Sequence, residues 1–408
     1  MDSATPADDQ AASIARRLRP YLHDLKKPTG EAAGLPSWIY TDPGFFAQER
    51  KRIFARSWIG IAYESEVPAA GDAVAVEYAG WRFIVARGED GMLRTFYNVC
   101  RHRGMALLDP GARSQGRTIS CPWHRWTYDL EGRLVATPNL GGPGTHECPG
   151  FDKDGLGLQA VRTDTWLGVV FVNVDGAAPP LAEYLKPTAD RLAAFDLSLT
   201  RESDERIETA FEGNWKLGIE GGVEDYHIPW VHRQLGPSGD FRGEFAGDRW
   251  VGVTCRRSME MAKRRYDESD GAAATAALPM FPHLPASGEF EASVILSTLP
   301  ATLVAAIADH VVVSLFIPET PGRTKIRRRF RFLGDAAKDE ARASARRKVR
   351  DAWALVTEQD GPIIATMQQQ AALKDEIGFR PRYSPHWEPA VHHFQKVIAA
   401  KIVGEALD

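Results

Sequence analysis

Long apolar runs are missing from these 408 residues. None approaches the roughly 18–20 residues that a bilayer crossing needs, so no membrane span is expected. The opening stretch, MDSATPADDQAASIARRLRP, holds no apolar centre of the kind a secretory signal carries. An excess of charge of either sign is missing too. Fifty Lys and Arg stand against 54 Asp and Glu, a net charge of -4, which makes no electrostatic case for nucleic acid or an anionic membrane as partner. Cysteine is scarce: four residues, at 100, 121, 148 and 255, are too few and too scattered for a disulfide scaffold. A cytoplasmic, reducing location is expected, and there cysteines at ligand-like spacing are better read as metal sites. No glycine-rich nucleotide fingerprint follows a strand, so nicotinamide and flavin are expected on a separate protein.

The apolar fraction of 44% and charged fraction of 25% are those of an ordinary globular chain, long enough to need two cores. Residues 1–34 are polar and read as a loosely held arm. In TDPGFFAQERKRIFARSW, Asp42 can cap a helix and Pro43 can take its first position, with Phe46, Ile53, Phe54 and Trp58 recurring at helical spacing. Short β-type runs such as DAVAVEYA, WRFIVAR and LGVVFVNV then fill 59–175, divided by turn signals. After 176 the texture mixes strands with helices, including a helical region from about 336 to 372 and the final block AVHHFQKVIAAKIVGEAL. The fold class is therefore α+β. An arm and helix over 1–58 should pack on the second domain, an all-β domain should cover 59–175, and an α+β domain 176–408.

Two of the four cysteines fall in Cys100-Arg101-His102 and Cys121-Pro122-Trp123-His124, in two loops of the all-β region. Two thiolates and two imidazoles suit a tetrahedral zinc. Zinc fingers, however, usually set two Cys together and two His together, whereas here each loop supplies one of each. That suits a [2Fe–2S] cluster in which one iron takes both Cys and the other both His, and the two loops resemble the Rieske motif. The consequence is one-electron transfer, which a ferredoxin of about 175 residues would also provide.

The chain continues instead into NWKLGIEGGVEDYHIPWVH, with Glu224, His227 and His232. On a regular helix Glu224 and His227 share a face, but His227 and His232 stand about 140° apart and cannot meet at one metal. Pro229 offers a break that lets His232 swing back, and Gly221-Gly222 weaken the helix further. Two His need a carboxylate to complete the triad of non-haem Fe(II) oxygenases. Asp360, just before Gly361-Pro362 where a kink is expected, is the candidate, with Glu358 and Asp351 as competitors.

From residue 30 onward the chain resembles the catalytic subunits of Rieske non-haem iron oxygenases, the aromatic ring-hydroxylating oxygenase α subunits. The resemblance implies that Cys100, His102, Cys121 and His124 hold the [2Fe–2S] cluster and that His227, His232 and Asp360 bind a mononuclear Fe(II). It implies that Glu224 bridges the two centres, that a reductase or ferredoxin delivers electrons from NAD(P)H, and that O₂ and a small organic substrate react at the iron. A homotrimer is implied, with room for a β subunit. Two departures stand out: Glu at 224 where many relatives have Asp, and Gly221-Gly222 where they often have Asn beside an aromatic. The Glu is similar to the branch that oxidises quaternary ammonium compounds. Hydroxylation of an aromatic substrate is the leading expectation, monooxygenation or N-demethylation of a methylated amine the second, and a Rieske electron carrier without oxygenase activity the third. Phe241, Phe245, Trp250, Phe281, Phe290 and Phe316, in the segment 235–316, are expected to line much of the pocket. Cys148 and Cys255 read as buried or half-buried thiols, RRRFRF at 327–332 as a solvated strand face, and His392-His393 as surface or interface residues. His310 stands isolated, and Arg101, Arg103, Arg113, Arg117 and Arg125 surround the cluster loops.

Overall fold

The computed structural model describes residues 6–235, 240–258, 277–285 and 288–406. Two compact units divide the chain: Ala55–Leu181, and a second built from Met1–Phe54 together with Ala182–Asp408.

In the first unit a seven-stranded sheet runs in the order β1-β10-β9-β4-β3-β2-β5. Its strands are β1 (Trp58–Tyr63), β2 (Asp72–Tyr78), β3 (Trp81–Arg87), β4 (Leu93–Tyr97), β5 (Arg113–Gln115), β9 (Ala160–Trp166) and β10 (Val169–Asn173). A smaller sheet joins β6 (Thr118–Ser120), β7 (Thr127–Asp129) and β8 (Leu134–Ala136). β10 is wholly buried and reads VVFVN without alternation, as a strand covered on both faces should. Trp58, expected at the end of a helix, begins β1 instead, because the helical stretch stops at Phe54.

The second unit carries another seven-stranded antiparallel sheet. β12 (Asp240–Ala246), β13 (Trp250–Ser258), β14 (Glu289–Thr298), β15 (Thr302–Ile307), β16 (His310–Thr320) and β17 (Arg323–Leu333) follow one another as neighbours, and β11 (Thr200–Phe211) closes the far side of β17. The arginines of RRRFRF are not a solvated face. Arg327, Arg328 and Arg329 are buried because both faces of β17 are covered there: Glu208 of β11 accepts from Arg327 and Arg329 at 3.2 Å each, and Arg328 donates to Ser314 and to Thr357 of the helix that follows the sheet.

Helices complete this unit, numbered α1 to α8 in chain order with α3 at Leu181–Leu192 and α7 at Ala371–Glu376. Asp42 caps α2 (Pro43–Glu49), accepting from the N–H groups of Gly44 and Phe45, with Pro43 at the first position. The expected arm is a helix, α1 (Pro6–Leu25). Ile14, Leu18, Leu22 and Leu25 recur every three or four residues within its polar composition, are buried, and pack it on α8 (Pro389–Val403). His392 belongs to that contact rather than to the surface. It is buried, and its ring donates to the Leu25 carbonyl at 2.7 Å, serving an unpaired acceptor at the end of α1. Cys255 is buried as expected, whereas Cys148 is exposed. No helix among the described residues is long and apolar enough to cross a membrane.

Candidate functional site

The two cluster loops rise from the core of the first unit. Cys100 and Cys121 are buried beside Leu107, Ile119, Trp126 and Tyr128, while His102 is exposed and His124 half-buried. Each loop is a tight turn. Gly104 N–H donates to Cys100 O at 2.9 Å with Gly104 at φ +75°, and Arg125 N–H donates to Cys121 O at 3.0 Å. The rings of His102 and His124 lie 4.6 Å apart, and Trp126 stacks on His102 at 4.7 Å. Thiols therefore face inward and imidazoles outward.

Several observations test a [2Fe–2S] group against zinc. Tetrahedral zinc draws its four donors to within about 4 Å of one another. Among the described residues, the only three such groups whose ligand atoms lie within 4.8 Å of one another belong to the second unit. His124 Nδ1 is buried without a hydrogen-bond partner, as a ligand nitrogen would be before its metal arrives. Tyr128 OH accepts from Arg101 N–H at 3.0 Å, so its own proton points to Cys100 Sγ at 3.3 Å, a contact of the kind that tunes cluster potentials. Burial pushes the Cys100 thiol above its ordinary value, so a metal is what would hold it as thiolate. Of the nearby arginines, Arg113 pairs with Glu66 and Arg117 with Glu89, whereas Arg101, Arg103 and Arg125 are exposed around the loops.

In the second unit α4 (Trp215–Gly222) starts at Asn214, whose side chain accepts from Lys216 N–H at 3.0 Å and donates to Pro321 O at 2.8 Å. Its Lys216 forms a buried pair with Glu49 of α2 at 2.5 Å. Gly218 lets the helix approach the sheet: a Cβ there would meet Phe211 at 2.8 Å and Phe316 at 2.9 Å. The helix stops at Gly222, earlier than the expected break at Pro229. Pro229 instead opens the short α5 (Ile228–Val231), because proline is tolerated where the N–H has no intrahelical partner. Glu224 is thus in the connecting loop, not on a helix face shared with His227. Its carboxylate accepts from the N–H groups of Tyr226 and His227 and meets His227 Nδ1 at 2.5 Å.

His227 and His232 bracket this single turn, and His232 leaves helical geometry at φ -111°, ψ 51°. Their rings come within 5.0 Å at an 80° angle. Asp360 completes the group from α6 (Ala343–Gln369), which runs on through Gly361-Pro362 rather than ending there. Asp360 Oδ1 is 3.0 Å from His232 Nε2 and 3.9 Å from His227 Nε2. Of the competitors, Glu358 is exposed and Asp351 pairs with Arg350 at 2.6 Å.

This set fits a divalent metal. Both Nδ1 atoms are engaged, His227 with Glu224 and His232 with Gln359, so both Nε2 lone pairs point toward a carboxylate oxygen. His232 Nε2 is buried and makes no hydrogen bond. Three acceptors face one another, and two His with one carboxylate is the ligand set of non-haem Fe(II).

The three line a cavity of about 670 Å³. Of the six aromatics expected in it, Phe241 and Phe316 are there. Phe245 is exposed against His393, Trp250 donates to Pro187 O, and Phe281 and Phe290 pack elsewhere in the core. Positions 236–239, 259–276 and 286–287 of that segment lie outside the described residues. Tyr40, Phe211, Trp353 and Tyr383 contribute instead, from elements that sequence spacing does not link. His310 is not isolated: Asp309 holds its Nδ1 at 2.6 Å, and Trp353 Nε1 donates to its Nε2 at 3.2 Å.

Glu220, in the last turn of α4, also faces the cavity. Tyr40 OH donates to it at 2.9 Å and Gln395 Nε2 at 3.1 Å. Burial pushes its carboxyl up to about 7, and burial pushes Glu388, in the same wall, upward as well. Burial alone would lower the proton affinity of the His227 imidazole, but the Glu224 hydrogen bond and charge outweigh it and raise the value.

Residues 57–149 match the Rieske [2Fe-2S] domain, and residues 196–404 match the ring hydroxylating alpha subunit (catalytic domain). The chain belongs to the ring-hydroxylating alpha-subunit family. Its cofactors are accordingly a Rieske [2Fe–2S] cluster and a mononuclear iron. It is 34% identical over 207 residues to the carnitine monooxygenase oxygenase subunit of Escherichia coli, covering 50% of this chain and 53% of that one. To the glycine betaine monooxygenase oxygenase subunit of Chromohalobacter salexigens it is 33% identical over 233 residues, 57% and 50% of the two chains. To the anthranilate 1,2-dioxygenase large subunit of Acinetobacter baylyi it is 35% identical over 202 residues, 48% and 41%. The chain thus spans about half the length of the curated relatives it matches. Among solved structures, a quaternary ammonium Rieske monooxygenase superposes with a TM-score of 0.73 at 22% identity, over 93% of this chain and 98% of that one. Naphthalene 1,2-dioxygenase from Rhodococcus sp. gives 0.75 at 20% identity, over 97% and 99%. These likenesses establish the shared fold.

Proposed function

We propose that this ring-hydroxylating alpha-subunit family member is the oxygenase component of a multicomponent monooxygenase whose substrate is a quaternary ammonium or methylated amine. The observation that carries the reading is the meeting of His227, His232 and Asp360 on the wall of a cavity that also holds the buried carboxylate Glu220 among aromatic rings. His227, His232 and Asp360 would hold the iron, and Cys100, His102, Cys121 and His124 the cluster. When bound, the two groups supply O₂ activation and one-electron transfer.

The chain's own residues supply the rest. Glu224 keeps the proton of His227 on Nδ1 and so turns Nε2 to the metal. The aromatic lining excludes water and offers cation–π faces, and Glu220 gives a cation its counter-charge. The relatives named for carnitine and glycine betaine support this substrate class over aromatic hydroxylation, as does Glu at 224. Electrons would reach the cluster from NAD(P)H through a separate reductase. A homotrimer would set the cluster of one subunit against the iron of the next, with Glu224 between them, in a head-to-tail ring that closes. The test is NADH and O₂ consumption with a surrogate reductase. Carnitine or a betaine should be turned over at least tenfold faster than anthranilate, and the reverse order would overturn the substrate reading.

A further inference from the structure

His232 Nδ1 lies 2.8 Å from Gln359 Oε1. The same oxygen accepts from Gln234 Nε2 at 2.8 Å, and Gln359 Nε2 donates back to Gln234 Oε1 at 3.3 Å. Gln359 precedes Asp360 on α6, and Gln234 follows His232 by two residues, so one pair of amides links the two segments that carry the facing ligands. A carbonyl oxygen only accepts, so in this arrangement the ring proton sits on Nδ1 and Nε2 keeps its lone pair. Turning both amides together would preserve their mutual bonds but present an N–H to Nδ1. The ring proton would then move to Nε2, which is buried and makes no hydrogen bond even with Asp360 Oδ1 3.0 Å away. An Nε2 that carries a proton cannot bind a metal, so only the orientation shown leaves Nε2 free to act as a ligand.

We propose that Gln359, latched by Gln234, is a positioning residue that holds His232 in its Nδ1–H tautomer and presents Nε2 to the iron. The proposal rests on His232 being an iron ligand, as argued above. It makes the two histidines unequal. His227 is backed by a carboxylate and His232 by a neutral amide.

The experiment measures the Fe(II) dissociation constant of the mononuclear site in the full chain, by anaerobic dialysis, with the visible spectrum of the cluster as the check on folding. The ferrous–nitric oxide adduct is recorded by EPR alongside. Gln359→Leu should weaken Fe(II) binding at least tenfold and alter the rhombicity of the adduct signal. Gln359→Glu, which keeps an acceptor, should stay within threefold of wild type, and Gln234→Leu should fall between the two. Wild-type affinity in Gln359→Leu, or equal loss in Gln359→Leu and Gln359→Glu, overturns the proposal, provided that His232→Ala loses the iron. Wild-type affinity in His232→Ala overturns the ligand assignment itself.

Discussion

Replacing Glu220 by Gln should stabilise the protein at alkaline pH and leave it little changed in mild acid. The carboxyl is pushed up to about 7 by burial, against an ordinary 4.5. Between those two values the folded chain keeps a proton that the unfolded chain has released. Stability therefore falls as pH rises from about 4.5 to about 7, and above that the whole cost of holding a buried carboxylate is present. At 1.36 kcal/mol per pH unit the gap corresponds to about 3 kcal/mol, and the surface that Glu220 shows to the cavity reduces it to about 2 kcal/mol. Glutamine fits the same space, still accepts from Gln395, and carries no such cost. Urea unfolding followed by tryptophan fluorescence at pH 5, 6.5 and 8 reads the difference directly. Glu220→Gln should exceed wild type by less than about 1 kcal/mol at pH 5 and by about 2 kcal/mol at pH 8. The same variant should bind carnitine or a betaine at least tenfold more weakly at pH 8, since the cation loses its counter-charge. Equal stability of the two proteins at pH 8 would refute the account of Glu220 as a carboxylate whose burial outweighs the charges around it.

The purified protein should be red-brown, and His102→Cys should change the cluster spectrum and lower its potential by several tenths of a volt, read by redox titration. His227→Ala, His232→Ala and Asp360→Ala should each lose the mononuclear iron, measured per chain, and keep a reducible cluster; loss in Glu358→Ala but not Asp360→Ala would reassign the third ligand. Glu224→Gln should retain both metal centres yet slow cluster reoxidation at least tenfold in single-turnover mixing with substrate and O₂. Lys216→Met leaves Glu49 buried without its cation and should cost about 3–5 kcal/mol, much of which the double variant with Glu49→Leu should recover in thermal unfolding.

Much of the site was legible because its chemistry depends on residue type at short spacing. The two Cys/His loops and the pair His227 and His232 stand out in a chain with four cysteines and eleven histidines. The local path was harder. Pro229 was read as a break, and it starts a turn, because proline's missing N–H is harmful inside a helix and harmless at its beginning. Gln359, Glu220, Tyr40 and Trp353 gave no signal, since polar or aromatic residues on a helix acquire a role only from what the sheet brings opposite. The RRRFRF strand misled for a related reason. Alternating charge marks a solvent face only when the strand has one, and the arginines of β17 meet Glu208 of β11 and Thr357 of α6 instead. The polar first helix hid four apolar residues at helical spacing in a composition typical of loose chain.

His227 and His232 come before the meander β12–β17 and Asp360 comes after it, 128 residues beyond His232. During synthesis the paired imidazoles therefore leave the ribosome long before the carboxylate that faces them. At the usual pace of 5–20 residues per second, the interval is roughly 6–25 s. With the ligands proposed above, a metal ion arriving in that period would meet the two imidazoles without Asp360, while the six strands that separate the halves of the site have still to be made. Iron capture by the proposed triad would consequently be a late event in the life of the nascent chain. The sheet must reach its register on hydrogen bonds and apolar burial alone, and the metal then locks a ring of chain closed behind it.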